Sequence, residues 1–139
     1  MRTIKQAFAV LLVCGIFLCF ISCGGGEKDV WANATYKEDT TLGEGAKTIT
    51  VQVSADNKTV TFTVKTDKET VGDALMEHGL ITGEEGQYGL YIKKVNGITA
   101  DYDKDGYYWA FYIDGEYAMT GVDGTEISQD AIYKLEYAK

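Results

Sequence analysis

The sequence has few of the residues on which most catalytic and metal sites depend. It contains one histidine, His78, and its three cysteines, Cys14, Cys19 and Cys23, all lie near the N-terminus. Beyond Cys23 there is no cysteine nucleophile and no zinc-ligand spacing, and we find neither a Gly-x-Ser-x-Gly elbow nor a Gly-rich phosphate loop. We therefore expect a protein that is not an enzyme, requires no cofactor and depends on an ordinary hydrophobic core.

Basic residues are also few. The chain has 13 lysines and arginines against 21 acidic residues, a net charge of -8. Without Arg2 and Lys5 the counts become 11 and 21, so the net charge becomes -10. A surface this acidic argues against nucleic acid and anionic lipid as partners.

The N-terminus carries an export signal. Arg2 and Lys5 precede an uncharged apolar run, Ala7–Ile21, which is shorter than the ~20 residues of a comfortable membrane span. The run ends in Phe-Ile-Ser-Cys-Gly at positions 20–24, and this segment resembles a bacterial lipobox. We expect residues 1–22 to be a signal peptide and Cys23 to carry lipid, which would anchor the protein to the extracytoplasmic face of the cell membrane. The alternative is an uncleaved membrane anchor.

The composition after Cys23 predicts a tether and one small domain. Three glycines follow the cysteine, and the next twenty residues are mostly polar, with Trp31 and Tyr36 as their only aromatic groups. We interpret residues 23–46 as a lipid-anchored flexible tether, the later part of which could lie on the domain. Residues 47–139 form the predicted domain.

The pattern of the domain predicts an α+β fold. Strict alternation at Ile49–Ser54 and again around Phe62 indicates two half-buried strands joined by a turn at 55–58. A short helix follows, capped by Thr70 and stopped by Gly79. Three further strand-like runs come next, at Tyr88–Val95, Tyr107–Ile113 (returning over 116–119) and Ile132–Ala138, and two of them end in the turn pairs Asn96-Gly97 and Asp114-Gly115. A hairpin, a helix and then strands is the order of the β-grasp, or ubiquitin-like, fold, a mixed sheet crossed by one helix.

The second half resembles a known family. Tyr91-Ile92-Lys93-Lys94-Val95-Asn96-Gly97-Ile98, then Tyr108-Trp109-Ala110-Phe111-Tyr112-Ile113-Asp114-Gly115, Gly121 and Tyr133-Lys134-Leu135-Glu136-Tyr137 are similar to the transcobalamin-like C-terminal domain family. This family includes bacterial lipoproteins and is similar to the small C-terminal domain of transcobalamin and intrinsic factor. The resemblance covers roughly residues 70–137.

The resemblance implies a ligand surface. In the cobalamin carriers the small domain covers one face of the corrinoid, and a large helical domain, which has no counterpart in this sequence, covers the other. By this likeness, the candidate ligand-binding residues are Asn96, Gly97, Tyr108, Trp109 and Tyr112, and the candidate ligand is a corrinoid such as cobalamin.

Alternation along 107–113 leaves two interpretations of the aromatic strand. Tyr107, Trp109, Phe111 and Ile113 fall on one face, and Tyr108, Ala110 and Tyr112 on the other. One helix can cover only one of these faces. The second face is therefore either covered by loops or free to bind a flat ligand or a protein.

Two further patterns suggest metal chemistry. Asp101, Asp103 and Asp105 with the following glycine spell the first half of a calcium loop, although Tyr112 stands where its bidentate acid is expected. An acidic surface turn is the alternative. His78 lacks partner ligands in the sequence, and we expect a structural role for it at the helix end.

These observations predict a membrane-tethered, extracytoplasmic binding module. Its ligand would be a corrinoid or another flat molecule that contacts the aromatic strand and the adjacent turns. The alternative is a module for protein–protein interaction or surface structure, without a small-molecule ligand.

Overall fold

The computed structural model describes residues 29–139, and the expected signal peptide and Cys23 lie outside them. The described part folds as an α+β domain with two helices, two 3₁₀ turns (Val30–Asn33 and Val122–Gly124) and nine strands. The helices are α1 (Val71–Glu77) and α2 (Tyr102–Asp105). The strands are β1 (Thr40–Leu42), β2 (Lys47–Ala55), β3 (Lys58–Thr66), β4 (Ile81–Gly86), β5 (Gly89–Val95), β6 (Ile98–Thr99), β7 (Tyr108–Ile113), β8 (Glu116–Tyr117) and β9 (Ile132–Ala138). Between residues 29 and 139, no helix is both long and apolar enough to cross a bilayer.

The main sheet has the β-grasp arrangement that the sequence predicts. Its six strands lie in the order β1-β3-β2-β9-β7-β8. The first hairpin, β2–β3, is antiparallel, and the closing strand β9 runs parallel to β2 at the centre of the sheet. Strand β7 then pairs antiparallel with β9.

Alternating β-branched and aromatic residues form the core on one face of this sheet. Ile49, Val51 and Val53 of β2 have no exposed surface, nor do Phe62 of β3 and Leu135 of β9. Helix α1 contributes Val71, Ala74 and Leu75 to the same core. The period of two in the sequence thus marks the buried face, as expected.

The turns and the cap follow their sequence signals. Three two-residue hairpin turns have positive φ at both central positions: Asp56-Asn57 (47° and 65°), Asn96-Gly97 (51° and 84°) and Asp114-Gly115 (52° and 85°). This is the type I′ geometry, which matches the twist of the strands. The Thr70 hydroxyl accepts a hydrogen bond from the Asp73 amide at 3.2 Å, so the predicted helix cap is confirmed.

A second sheet, of three strands in the order β4-β5-β6, was not expected. Strand β4 has only Ile81 buried, and its pairing with β5 is interrupted by a bulge between Thr82 and Gly83. The strand-like run that starts near Tyr88 therefore belongs to this small sheet and does not extend the main one.

The folded domain begins earlier than residue 47. Trp31 is 5% exposed, and its Nε1 donates to the Ala55 carbonyl at 2.8 Å. Strand β1 pairs with β3, and the Asn96 side chain bonds both the amide and the carbonyl of Tyr36. Residues 30–42, which we assigned to the tether, therefore pack on the domain, because Trp31 and Tyr36 bury their rings against the first hairpin.

Candidate functional site

The two sheets approach each other at strands β5 and β7, and a cleft of about 640 Å³ opens there. The cleft is bounded on its third side by the segment 117–124. Its lining combines aromatic, aliphatic and small residues: Tyr88, Leu90, Tyr91, Ile92, Tyr108, Trp109, Phe111, Tyr117, Ala118, Met119, Thr120, Gly121, Val122, Asp123 and Gly124. A volume of this size is in the range of small-molecule pockets.

The inner part of the cleft belongs to the core. Trp109, Phe111, Ile92 and Val122 are each at most 9% exposed. The Trp109 indole Nε1 donates to the Ile98 carbonyl at 3.2 Å, and its ring lies 5.4 Å from that of Tyr137. The indole nitrogen is thus already satisfied within the protein, and Trp109 offers a ligand an apolar surface only.

The mouth of the cleft exposes large apolar side chains. Tyr88 is 91% exposed, Met119 95%, Tyr117 59% and Tyr91 43%. These four residues, the mouth residues, come from two separate segments, 88–91 and 117–119. Contiguous apolar surface around a concave site is typical of a binding surface, because leaving it in water is unfavourable.

The segment 117–124 is held by helix α1. The Val71 amide donates to the Thr125 carbonyl at 2.9 Å, and the Thr125 hydroxyl donates to the Gly121 carbonyl at 2.8 Å. A Cβ at Gly72 would come within 3.0 Å of the Asp123 backbone, so this glycine permits the close approach of helix and loop. This wall of the cleft is therefore packed directly against helix α1.

Asp123 links this wall to strand β5. Its Oδ2 accepts a hydrogen bond from the Leu90 amide at 3.2 Å. Nearby, outside the cleft lining, Lys93 lies 3.1 Å from Glu84 and 5.7 Å from the Tyr91 ring centroid. The hydrogen bond with Glu84 raises the pKa of Lys93, so Glu84 is the main partner of this ammonium group.

The five residues predicted for ligand binding do not lie together: two line the cleft and three lie outside its lining. Tyr108 and Trp109 line the cleft. Tyr112 does not: its ring packs edge-on against Tyr117 at 5.5 Å, beneath the Lys134 ammonium. On the second face of the aromatic strand, Tyr112 is thus covered in part by side chains of the same sheet, and Ala110 is buried.

Asn96 and Gly97 lie away from the cleft. Asn96 is 1% exposed and accepts from the Tyr36 amide at 2.9 Å while donating to its carbonyl at 2.8 Å. These contacts give Asn96 a structural role. Gly97 lines a second cavity of about 480 Å³, together with Asp29, Lys94, Asp105 and Tyr137.

Tyr137 borders both the core and this second cavity. Its ring stacks on Tyr107 with centroids 4.4 Å apart. Burial raises the pKa of Tyr137, and the nearby carboxylate of Asp105 adds to the effect.

The predicted calcium loop does not form a metal site. In residues 29–139 no three histidine, cysteine, aspartate or glutamate side chains converge in a metal-binding group. The segment folds into α2 instead: Asp101 caps it by accepting from the Lys104 amide, and Asp105 accepts from the Tyr107 amide. Gly106, with φ 79°, ends the helix. The carboxylates of Asp101 and Asp105 thus accept hydrogen bonds from backbone amides, and Asp103 is exposed on the helix.

His78 ends helix α1. Its Nε2 lies 3.4 Å from the Lys65 carbonyl and 3.5 Å from Glu77, and the ring packs where a side chain at Gly43 would stand. This is the structural role expected for it.

Several cleft residues could not be assigned from the sequence. Nine of the ten tyrosines lie at or after Tyr88, and this clustering is the one pattern that indicates a role for Tyr88, Tyr91 and Tyr117. No sequence pattern indicates Asp123 or Met119, because their position in the cleft depends on how the segment 117–124 folds back on β5.

Comparisons with known proteins agree with this fold. Residues 68–132 match a family described as a domain of unknown function, DUF4430. A candidate metal-binding protein from Ruminococcus gnavus ATCC 29149 is 34% identical, with a TM-score of 0.64, and the match covers 68% of this chain and 98% of that one. The comparison with curated proteins gave no match.

Haptocorrin in complex with Cbi is a more distant neighbour. It is 24% identical with a TM-score of 0.51, and the match covers 67% of this chain but only 25% of haptocorrin. This similarity confirms the transcobalamin-like fold and says nothing further about the ligand. At 34% identity over 98% of its relative, the chain belongs to the same family as the Ruminococcus gnavus protein.

Proposed function

We propose that this protein is a non-enzymatic binding module that takes a flat, largely apolar ligand in the cleft between β5 and β7. The main support is the exposure of the mouth residues, Tyr88, Tyr91, Tyr117 and Met119, around a concave, aromatic site. Aromatic side chains bind flat ligands through stacking and burial of area. A corrinoid such as cobalamin is our candidate, from the resemblance to the transcobalamin-like family and the shared fold of haptocorrin in complex with Cbi.

Tryptophan fluorescence can follow binding at this cleft. The chain has two tryptophans, and Trp31 lies at the first hairpin, outside the cleft lining. A Trp31→Phe variant of residues 24–139 would leave Trp109 as the sole indole. Titration with cobalamin and cobinamide is expected to quench it and to shift the corrin absorption spectrum. No change at high micromolar ligand would remove the corrinoid from the proposal.

A matched pair of tyrosines tests the location. Tyr117 (59% exposed) lines the cleft, whereas Tyr102 (60% exposed) lies on α2 outside it. We expect Tyr117→Ser to weaken binding about fivefold, since an aromatic contact contributes roughly 1 kcal/mol. Tyr102→Ser should leave the affinity unchanged. Equal effects of both substitutions would place the ligand elsewhere.

We further propose that lipid on Cys23 holds this module on the extracytoplasmic face of the membrane. The lipobox-like segment before Cys23 supports this, as does the low count of basic residues, which leaves a lipid anchor as the main source of membrane affinity. In the full chain, Cys23→Ser should abolish both the incorporation of labelled fatty acid and the cleavage in front of residue 23, and Cys19→Ser should abolish neither. If the unmodified chain incorporates no fatty acid and keeps residues 1–22, the uncleaved anchor is the better interpretation.

A protein partner is the second candidate. Strand β4 forms a free edge of the small sheet, and five of its six residues are exposed. An extended peptide could add to this edge by backbone hydrogen bonds. Glu85 pairs with Leu90, whose amide bonds Asp123, so the Glu85 amide faces the open edge of β4. Glu85→Pro, outside the cleft lining, would block such pairing. Loss of a membrane-derived partner in pull-downs by Glu85→Pro, with intact corrinoid binding, would favour this function.

A further inference from the structure

Among the described residues that line the cleft, Asp123 has the only charged side chain. The residue is half-buried, and its Oδ2 accepts from the Leu90 amide at 3.2 Å. Its Oδ1 takes part in no hydrogen bond with any of residues 29–139. One carboxylate oxygen thus fixes the side chain in place, while the other remains available to accept from a ligand.

Two glycines make room for this carboxylate. A Cβ at Gly89 would lie 3.0 Å from both carboxylate oxygens, and a Cβ at Gly121 would lie 3.1 Å from Oδ1. Gly89 has a φ of 105°, which side-chain-bearing residues rarely adopt. The absence of side chains at both positions keeps the free oxygen uncrowded on two sides.

The surrounding surface favours one class of ligand. The faces of tyrosine and tryptophan rings carry negative electrostatic potential, and Tyr88, Tyr91, Tyr117 and Trp109 border the same cleft. No lysine or arginine is found among the described lining residues. Carboxylates or phosphates on a ligand would therefore meet a like charge without a compensating cation.

We propose that Asp123 sets the specificity of the cleft, which accepts flat ligands with hydrogen-bond donors or positive charge at the rim and rejects those with an anionic rim. The inference rests on the proposed function, because it needs a flat ligand in this cleft. It deepens that function by defining the polar chemistry of the ligand: primary amides or amines within reach of Asp123 Oδ1.

Two flat tetrapyrrole-type probes of opposite rim chemistry test this specificity. Dicyanocobinamide carries primary amides around its rim, whereas metal-free protoporphyrin IX carries two carboxylates. In Asp123→Asn the amide oxygen can still accept from the Leu90 amide, so the wall should stay in place. The matched control is Asp103→Asn, which removes one negative charge from the exposed surface of α2.

We expect the unmodified domain to bind dicyanocobinamide more tightly than protoporphyrin IX. Asp123→Asn should weaken dicyanocobinamide about tenfold, because a charge-assisted hydrogen bond is roughly twice as strong as a neutral one, and should improve protoporphyrin binding. Asp103→Asn should change neither affinity. If both probes bind equally and Asp123→Asn has no effect, the specificity proposal is wrong while the binding module stands. If neither probe binds, the flat-ligand function fails and this inference fails with it.

Discussion

The two sheets of this domain differ in how much of their side-chain surface is buried. In the six-stranded sheet, buried and half-buried residues alternate along β2 and β3, and the buried ones, such as Val51 and Phe62, have no contact with water. In the three-stranded sheet, β4 has one buried residue, and the turn into β5 exposes Tyr88 almost completely. The first sheet supplies stability, and the second, with segment 117–124, supplies an open apolar surface next to it.

This difference in burial predicts which substitutions should affect folding and which should affect ligand binding. Removal of apolar groups from the main sheet costs transfer free energy and leaves a cavity. The mouth residues Tyr88 and Met119 are 91% and 95% exposed, so their removal should cost little stability. Substitutions in the core and at the mouth of the cleft should therefore differ in their effect on stability.

A chain that begins at residue 47 should be largely unfolded. It lacks Trp31, which is worth about 3 to 5 kcal/mol as a buried aromatic, and it leaves the polar groups of Asn96 without Tyr36, at about 1 to 3 kcal/mol. Together these losses approach the whole stability of a small domain, roughly 5 to 15 kcal/mol. Circular dichroism and thermal melting of chains 29–139 and 47–139 would measure the difference. Equal melting temperatures would show that residues 29–46 contribute no stability.

Phe62→Ala should lower the free energy of unfolding by about 3 to 5 kcal/mol, since the side chain is fully buried between the first hairpin and Tyr36. Tyr88→Ala, an aromatic truncation at the mouth of the cleft, should stay within about 0.5 kcal/mol of the unmodified protein. Urea denaturation of both variants makes the comparison. A large loss for Tyr88→Ala would mean that the small sheet shares the role of the core.

Asn96→Ala and Asn57→Ala form a matched pair in type I′ turns. Both residues have positive φ, 51° and 65°, so alanine meets a similar backbone cost at each. Asn96 is buried and bonded to Tyr36, whereas Asn57 is exposed. We expect Asn96→Ala to destabilise by about 1 to 3 kcal/mol more than Asn57→Ala, because the Tyr36 amide and carbonyl lose their partners. Equal losses would show that the turn alone matters.

The smallest effect concerns alkaline pH. Burial raises the pKa of Tyr137 above its ordinary value of 10, so the folded state holds this proton more tightly than the unfolded chain does. The resulting stability is present below pH 10 and is lost as the pH rises through the folded-state pKa. Tyr137→Phe should therefore show a shallower fall in melting temperature between pH 9 and pH 11. A parallel fall in both proteins would mean that Tyr137 ionises equally easily in the folded and unfolded states.

Local signals in the sequence were sufficient for five of the six strands of the main sheet and for turns in both sheets, whereas β1 falls in the segment interpreted as a tether. Alternation over residues 49–54, the pairs Asn96-Gly97 and Asp114-Gly115 and the Thr70 cap each act within a few residues. Strand β4 could not be foreseen, because two glycines and two glutamates occupy six positions and only its pairing with β5 makes it a strand.

The site was predictable only in part, since its geometry depends on long-range contacts. Tyr108 and Trp109 line the cleft, and the aromatic strand that carries them is evident in the sequence. Asn96 lies outside the cleft lining, because it bonds Tyr36, which is 60 residues earlier in the chain. Asp123 meets Leu90 from 33 residues away, and no local pattern announces that contact.

The parallel neighbours at the centre of the main sheet, β2 and β9, also set the time at which the domain can fold. β9 ends at Ala138, so the sheet lacks its middle strand until the last element has been synthesised. Pairing between strands this far apart in the sequence is slow, because a long loop must close before the strands can meet. The main sheet therefore cannot close while β9 is missing, which suits the passage through a membrane that we propose for this chain.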